Sequence, residues 1–123
     1  MHKIKIKRIY DSVTNDDGAR ILVDRLWPRG IKKENAQIKI WLKDIAPSNE
    51  LRKFFHHAPD KWHEFKKQYL QELQGKKDLM HVIEQELKLH HVTLIFSAKN
   101  EEFNNAVVLQ EYLLKKHGLK SGQ

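Results

Sequence analysis

The sequence predicts an α/β fold, a single compact domain with a small, mostly parallel sheet of three to four strands flanked by about four helices. Two runs, 21–23 and 92–96, are apolar almost throughout, which is typical of strands buried on both faces. The chain between them carries several segments with apolar residues at helical spacing. Central strands separated by helices indicate a parallel pair joined by a right-handed crossover.

The strands are predicted from alternation and from apolar runs. Residues 3–7 alternate lysine with isoleucine, which is typical of an edge or half-exposed strand. A polar stretch over 12–18 then predicts a turn before a second, central strand over 20–26. Residues 38–42 alternate again and predict a further short strand, unless Trp41 simply covers the core. Residues 92–96 form the third clear strand.

The helices are predicted from apolar spacing and from end signals. Residues 31–37 can hold a short helix, and Ser48 is a predicted N-cap for a longer one. A break at 58–60 starts the next helix, which ends at Gly75, and another spans 78–89. The last helix is predicted to follow an Asn100 cap and to end near Gly118. Residues 1–119 are expected to form the domain and 120–123 a flexible tail.

Composition excludes several classes of chemistry. The chain has no cysteine, which rules out disulfides, thiol catalysis and cysteine-ligated metals. No apolar run approaches the length of a membrane span, and the basic N-terminus lacks the apolar segment of a secretory signal. We therefore expect a soluble, cytoplasmic protein without a membrane partner.

The chain is basic, with 23 Lys and Arg against 16 Asp and Glu, a net charge of +7. A positive balance favours phosphorylated or polyanionic partners, and it also serves solubility without any specific partner. The charge is spread along the chain, and no nucleic-acid recognition motif is present. Both features count against a nucleic-acid-binding arm.

The strongest site signal is the stretch 24–30, which follows the second strand and contains charged residues, a tryptophan and a Pro…Gly pair. Parallel central strands would bring it beside the residues after the third strand, at the edge where open α/β sheets hold ligands. The two strand ends supply Asp24, Arg25, Trp27 and Arg29 on one side and Ser97, Lys99, Asn104 and Asn105 on the other.

Two arginines, a lysine and a helix start predict binding of phosphate, a carboxylate or a nucleotide. The predicted binding residues are Arg25, Trp27, Arg29, Lys99, Asn104 and Asn105. Arg29 and Lys99 are favoured because both fall in loops beside strand ends. Asp24 and Arg25 have an equally good structural explanation as charges paired at a buried strand end. Trp27 can likewise cover the core.

Catalysis has weaker support. The candidates are Asp24, Lys99 and His57, of which His57 lies in a loop between helices and titrates near neutrality, or else caps a helix end. The histidine clusters lack the His-x-x-x-His spacing, so no metal site is predicted. Ser97 lacks the flanking glycines of a nucleophile elbow. The sequence also has no Gly-rich phosphate loop, so no cofactor is predicted.

Several segments, in order, resemble the signatures of one family. They are Asp17-Gly18-Ala19-Arg20, Asp24-Arg25-Leu26-Trp27-Pro28-Arg29-Gly30, Trp41-Leu42-Lys43-Asp44-Ile45-Ala46-Pro47-Ser48, Leu51-Arg52-Lys53-Phe54-Phe55, Ala98-Lys99-Asn100-Glu101 and Asn104-Asn105-Ala106-Val107-Val108-Leu109. Over residues 4–114 the chain resembles the YeaO-like bacterial proteins, domain of unknown function 488. The resemblance implies a compact α/β domain and brings no established activity.

A more distant branch of that family carries Cys-Ala-Glu and then Cys-His-Arg near the last strand and helix. This chain has Phe96-Ser97-Ala98 and Asn104-Asn105-Ala106 in those places. Thiol or metal chemistry of that branch therefore does not carry over, which puts catalysis itself in doubt.

Three hypotheses for function follow. The first is binding of an anionic small molecule or nucleotide at the strand ends, by an enzyme or a sensor domain. The second is a basic nucleic-acid-binding module, and the third is a noncatalytic protein-interaction domain. The oligomeric state does not follow from the sequence.

Overall fold

The computed structural model describes residues 2–56 and 58–118, and within them one sheet of four parallel strands forms. The strands are β1 (Ile4–Arg8), β2 (Ala19–Leu22), β3 (Ile40–Trp41) and β4 (Val92–Phe96). Their order in the sheet is β1-β4-β2-β3, which confirms the α/β class and places the two apolar runs at the centre, with the Lys/Ile strand at an edge.

The helices surround this sheet. Ser48 caps the helix over Asn49–Phe55 as predicted, since its hydroxyl accepts a hydrogen bond from the Leu51 amide at 3.2 Å. Short 3₁₀ turns lie at Asn15–Asp17, Lys43–Ile45 and Pro59–Lys61. The predicted acid or base His57 and the tail 120–123 lie outside the described residues. The α-helices are α1 (Lys33–Ala36), α2 (Asn49–Phe55), α3 (Trp62–Gln74), α4 (Lys77–Leu89) and α5 (Asn105–Lys116).

Both faces of the central strands are covered, which explains their continuous apolar sequence. Ile21 and Leu94 belong to the main core, together with buried residues of α2, α3, α4 and α5. Their neighbours Leu22 and Ile95 belong to a second cluster on the opposite face, because successive side chains of a strand alternate. Trp27 packs against that second cluster.

Two strand boundaries differ from the prediction. β2 ends at Leu22 rather than continuing to residue 26. The Val23 amide still bonds to the Ile95 carbonyl at 3.0 Å, but at Asp24 the chain turns away and the carboxylate bonds to Ser97 instead. The predicted strand over 38–42 is reduced to β3, which pairs only with Ile21 and Leu22.

The start of the last helix also differs. α5 begins at Asn105, because Asn104 is its N-cap and accepts a hydrogen bond from the Val107 amide at 3.0 Å. Asn100, the predicted cap, instead closes a separate turn by accepting hydrogen bonds from the Glu102 and Phe103 amides.

Candidate functional site

A cavity of about 370 Å³ opens at the carboxyl edge of the sheet, where β2 and β4 end side by side. We call it the carboxyl-edge cavity. Its walls are the segment after β2, helix α2 with the loop before it, and the residues that follow β4. The lining residues are Asp24, Arg25, Leu26, Ala46, Pro47, Asn49, Arg52, Lys53, Phe55, His56, Phe65, Ser97, Ala98 and Asn105.

The two central strands are joined at this edge by the Asp24 carboxylate. Its Oδ2 accepts hydrogen bonds from the Ser97 amide at 2.9 Å and from the Ser97 hydroxyl at 2.8 Å. The Asn105 amide nitrogen donates to Asp24 Oδ1 at 3.3 Å and to the Val23 carbonyl at 3.0 Å. Strand β2, strand β4 and helix α5 therefore meet in one network of hydrogen bonds.

The surroundings of Asp24 disfavour the ionised form of its carboxyl group. Burial raises the pKa of its carboxyl above the ordinary value of 3.8, while the hydrogen bonds from Ser97 and Asn105 and the charge of Arg52 lower it. Burial prevails, so the proton is held more tightly than on an exposed aspartate. The positive charge of Arg52, on α2, is the last of the influences that lower this pKa.

Helix α2 supplies the cationic wall. Arg52 and Lys53 line the cavity from its last turns, and Arg52 donates a hydrogen bond to the Asn49 side chain at 3.0 Å. His56 ends the helix in a left-handed conformation, with φ 41° and ψ 38°. Two permanent positive charges and an imidazole therefore line the same cavity as the strand ends.

The apolar floor of the cavity comes from α2 and α3. Phe55 and Phe65 are both buried and stack with ring centroids 4.4 Å apart. Trp62 stacks on Phe65 at 5.6 Å and on Phe103 at 5.1 Å, which extends the aromatic layer toward α5. These aromatic residues belong to the core, as their helical spacing predicts.

The loop that leads into α2 is held by side chains from the helices behind it. The Tyr69 hydroxyl donates to the Ile45 carbonyl at 2.7 Å, and the Lys76 ammonium donates to the Ala46 carbonyl at 2.8 Å. Glu72 accepts hydrogen bonds from the Ser48 amide and hydroxyl at 2.8 and 2.6 Å. These contacts fix where α2 begins, and hence where its cations lie.

Arg25 also holds the loop that leads into α2. Its Nη2 donates to the Ala46 and Pro47 carbonyls at 3.2 and 3.3 Å, and its Nη1 lies 3.7 Å from the Asp44 carboxylate. Within the described residues, its buried Nε has no hydrogen-bond partner. Arg25 lines the cavity, but most of its guanidinium is already occupied with positioning the loop before α2.

Of the predicted site residues, the structure brings Asp24, Arg25, Ser97 and Asn105 together in the cavity wall. Asn104 is buried as the cap of α5. The lining residues given above do not include Trp27, Arg29 or Lys99. Trp27 donates from Nε1 to the Ile31 carbonyl at 2.7 Å on the other face of the sheet, and both Arg29 and Lys99 are exposed.

Sequence reasoning missed Arg52, Lys53, Asn49 and His56 as cavity residues. The helical spacing of its apolar residues predicts a helix in this segment. It does not show whether the polar face of that helix lies against solvent or against a cavity. The Leu51-Arg52-Lys53-Phe54-Phe55 signature was the available signal, since it places two cations between core residues.

Within the described residues, 2–56 and 58–118, no helix is long and apolar enough to cross a membrane. The same part of the chain holds no group of three or more histidine, aspartate or glutamate side chains arranged for a metal ion.

Comparison with known proteins places the chain in a family. The chain is 46% identical to Uncharacterized protein YeaO of Escherichia coli over 110 residues, which cover 89% of this chain and 96% of that protein. It is also 46% identical over 71 residues, 58% of this chain, to Uncharacterized protein Mb3100c of Mycobacterium bovis and Uncharacterized protein Rv3073c of Mycobacterium tuberculosis, covering 60% of each.

No solved structure matches the chain. The family model described as the inactive DUF488-N3 subclade matches residues 3–121, nearly the whole sequence. Together with the similarity to YeaO, this confirms the resemblance to the YeaO-like proteins. The chain belongs to the YeaO-like family, within the inactive DUF488-N3 subclade.

Proposed function

We propose that this protein binds a small anionic molecule in the carboxyl-edge cavity without transforming it. The observation that carries the proposal is that Arg52 and Lys53, on α2, line the same cavity as the residues that follow β2 and β4. Guanidinium and ammonium groups at a concave, partly apolar site favour carboxylates and phosphates.

The size and shape of the cavity favour a metabolite over a polymer. About 370 Å³ lies toward the lower end of the range for small-molecule sites. The aromatic floor of Phe55 and Phe65 offers apolar contact for the body of such a molecule. A mononucleotide or a smaller phosphate or carboxylate suits these dimensions.

The state of Ser97 supports binding without catalysis. A serine nucleophile needs a base that removes its proton and nearby donors that stabilise the resulting oxyanion. Here the Ser97 hydroxyl donates to Asp24 Oδ2, and the Ser97 backbone amide, which could otherwise stabilise an oxyanion, donates to the same oxygen. The absence of cysteine and the description of the subclade as inactive also favour a noncatalytic site.

The test is a thermal-shift and calorimetric screen against phosphate, small carboxylates, phosphate esters and mononucleotides. Ligand at about 100 times its dissociation constant adds about 2.7 kcal/mol to the free energy of unfolding, which raises the melting temperature by several degrees. Arg52→Ala should weaken binding at least tenfold while the protein remains folded, because Arg52 is exposed on α2.

Matched controls remove one charge elsewhere. Lys67→Ala takes an exposed cation from α3 and should bind like the wild-type protein. Arg29→Ala and Lys99→Ala separate this site from the loop cations predicted from sequence. Binding lost in those two variants but kept in Arg52→Ala would overturn the assignment to α2. No response to any small anion, with a salt-sensitive response to short nucleic acids, would overturn the proposal itself.

A further inference from the structure

Of the polar side chains Asp24, Ser97 and Asn105, which line the carboxyl-edge cavity where the strands end, the last two donate their hydrogen bonds to acceptors of the protein, and the Asp24 carboxylate has no donor. The Ser97 hydroxyl proton goes to Asp24 Oδ2. Both N–H groups of the Asn105 amide are used, one on the Val23 carbonyl and one on Asp24 Oδ1. Because both of those partners are acceptors, they also fix which end of the Asn105 amide is the nitrogen.

What remains on these side chains is capacity to accept. A carboxylate has about four acceptor positions, and Asp24 uses two on Oδ2 and one on Oδ1. The Ser97 hydroxyl oxygen keeps its lone pairs, and the Asn105 amide keeps its carbonyl oxygen. From these three side chains a bare anion would meet acceptors and a carboxylate.

The side chains of α2 that line the cavity have the reverse character. Arg52 carries five N–H donors, and its hydrogen bond to Asn49 uses one guanidinium nitrogen. Lys53 adds three donors and a second positive charge. The donors and positive charge of α2 therefore share the cavity with the acceptors and the carboxylate of these three side chains. Arg25, the cation at the end of β2, is occupied with the loop before α2.

From this combination of donors and acceptors, and resting on the function proposed above, we propose that the ligand is an amino-bearing anion. Its carboxylate or phosphate group pairs with Arg52 and Lys53, and its ammonium group donates to Asp24, Ser97 and Asn105. Three N–H donors match the acceptor capacity of three side chains. The ammonium also brings a positive charge, in addition to that of Arg52, to the half-buried Asp24 carboxylate.

The test compares ligand pairs that differ in a single amino group, measured by calorimetry on the wild-type protein. The pairs are β-alanine against propionate and O-phosphoethanolamine against ethyl phosphate. The amino-bearing member of at least one pair should bind tenfold or more tightly than its partner. Asp24→Asn should reduce that ratio to near one, and Ser97→Ala should reduce it partly, while both variants still bind the plain anion.

The outcomes separate this inference from the proposed function. Equal binding of both members, lost in Arg52→Ala, overturns the amino-bearing ligand and leaves an anion site. Binding by neither member of either pair overturns the inference for these probes, while mononucleotides in the wider screen still test the anion site. Because the pairs are compared on the wild-type chain, the result does not depend on whether Asp24→Asn folds.

Discussion

Asp24 Oδ2 accepts hydrogen bonds from both the backbone amide and the hydroxyl of Ser97, at 2.9 and 2.8 Å. One side chain at the end of β2 is thereby bonded twice to one residue at the end of β4. The contact lies where two parallel strands diverge into different loops, so it joins the two strand ends that line the cavity.

Ser97→Ala tests the energetic value of that contact. The variant keeps the backbone hydrogen bond and loses the hydroxyl one, so we expect the free energy of unfolding to fall by about 1 to 2 kcal/mol at neutral pH. The pKa of Asp24 should rise further, because one of the groups that stabilise its carboxylate is gone. Urea denaturation measures the first effect, and NMR titration of the Asp24 carboxyl carbon measures the second.

The control for this variant is Ser12→Ala, in an exposed loop, which should change stability by less than about 0.5 kcal/mol. An Asp24 pKa that stays the same in Ser97→Ala would show that the hydroxyl does not stabilise the carboxylate in solution.

A buried ion pair at the other end of the sheet allows a second prediction. Asp17 accepts hydrogen bonds from Lys7 at 2.6 Å, from Arg20 at 2.7 Å and from the Thr14 amide and hydroxyl. Asp17 and Arg20 are both only 3% exposed in their side chains. Asp17→Asn leaves Arg20 buried without its charge partner, so we expect a loss of about 3 to 5 kcal/mol in unfolding free energy.

The same pair makes stability depend on pH. Burial raises the pKa of Asp17, but the hydrogen bonds from Lys7, Thr14 and Arg20 together lower it by more than burial raises it. The pKa of Asp17 in the folded protein therefore lies well below 3.8. The stabilisation is complete when the pH is above the pKa of Asp17 in the unfolded chain. It is lost as the pH falls below 3.8 toward the pKa of Asp17 in the folded protein. Urea denaturation between pH 7 and pH 2 should show this loss in the wild-type protein and a smaller one in Asp17→Asn.

Asp16→Asn is the matched control, since the neighbouring carboxylate is exposed and its ion pair with Lys5 is open to solvent. It should have little effect on stability at neutral pH. Equal losses from the two substitutions would contradict the assignment of the stabilising charge to Asp17.

The sequence was sufficient to predict the central pair of strands and the edge at which the cavity lies. Runs such as 92–96 are apolar on both faces only when layers cover both sides of the sheet. Parallel strands then bring Asp24 and Ser97 to one edge, whatever the loops do. This part of the site follows from topology.

The remaining cavity residues depend on contacts between distant segments. Arg52 faces the cavity because Tyr69 and Lys76 hold the loop before α2, and no local pattern encodes those contacts. Asn100 and Asn104 are both good N-caps, so local preference could not decide between them. Trp27 was ambiguous in the same way, since a loop tryptophan can cover a core or a ligand.

The turn before β2 gives a third prediction. Gly18 has φ +66°, and a Cβ at this position would collide with the His91 carbonyl oxygen and lie 2.6 Å from its carbon. Because the obstacle is backbone next to β4, it cannot move aside cheaply. Gly18→Ala should therefore destabilise the protein severely, or prevent folding, as measured by circular dichroism and urea denaturation.

Gly30→Ala provides the comparison. Gly30 has a similar φ of +75°, but a Cβ there meets nothing within 4 Å. Only the backbone strain remains, for which we expect about 1 to 2 kcal/mol. If the two variants lost the same stability, the close approach of Gly18 to His91 would not be the cause.

The end of α1 offers a stabilising substitution. Gln37 follows the helix with φ 50° and ψ 44°, a left-handed conformation that costs energy for any residue with a Cβ. It is exposed, so removal of its side chain loses little packing. Gln37→Gly should raise the free energy of unfolding by about 0.5 to 1 kcal/mol, because relief of the strain exceeds the added freedom of the unfolded chain.

Gln71→Gly, on an exposed position inside α3, should instead lower the free energy of unfolding by about 1 kcal/mol. Urea denaturation measures both changes. A gain in Gln37→Gly with a loss in Gln71→Gly would show that the gain comes from the left-handed backbone at residue 37, whereas a loss of stability in both variants would contradict that explanation.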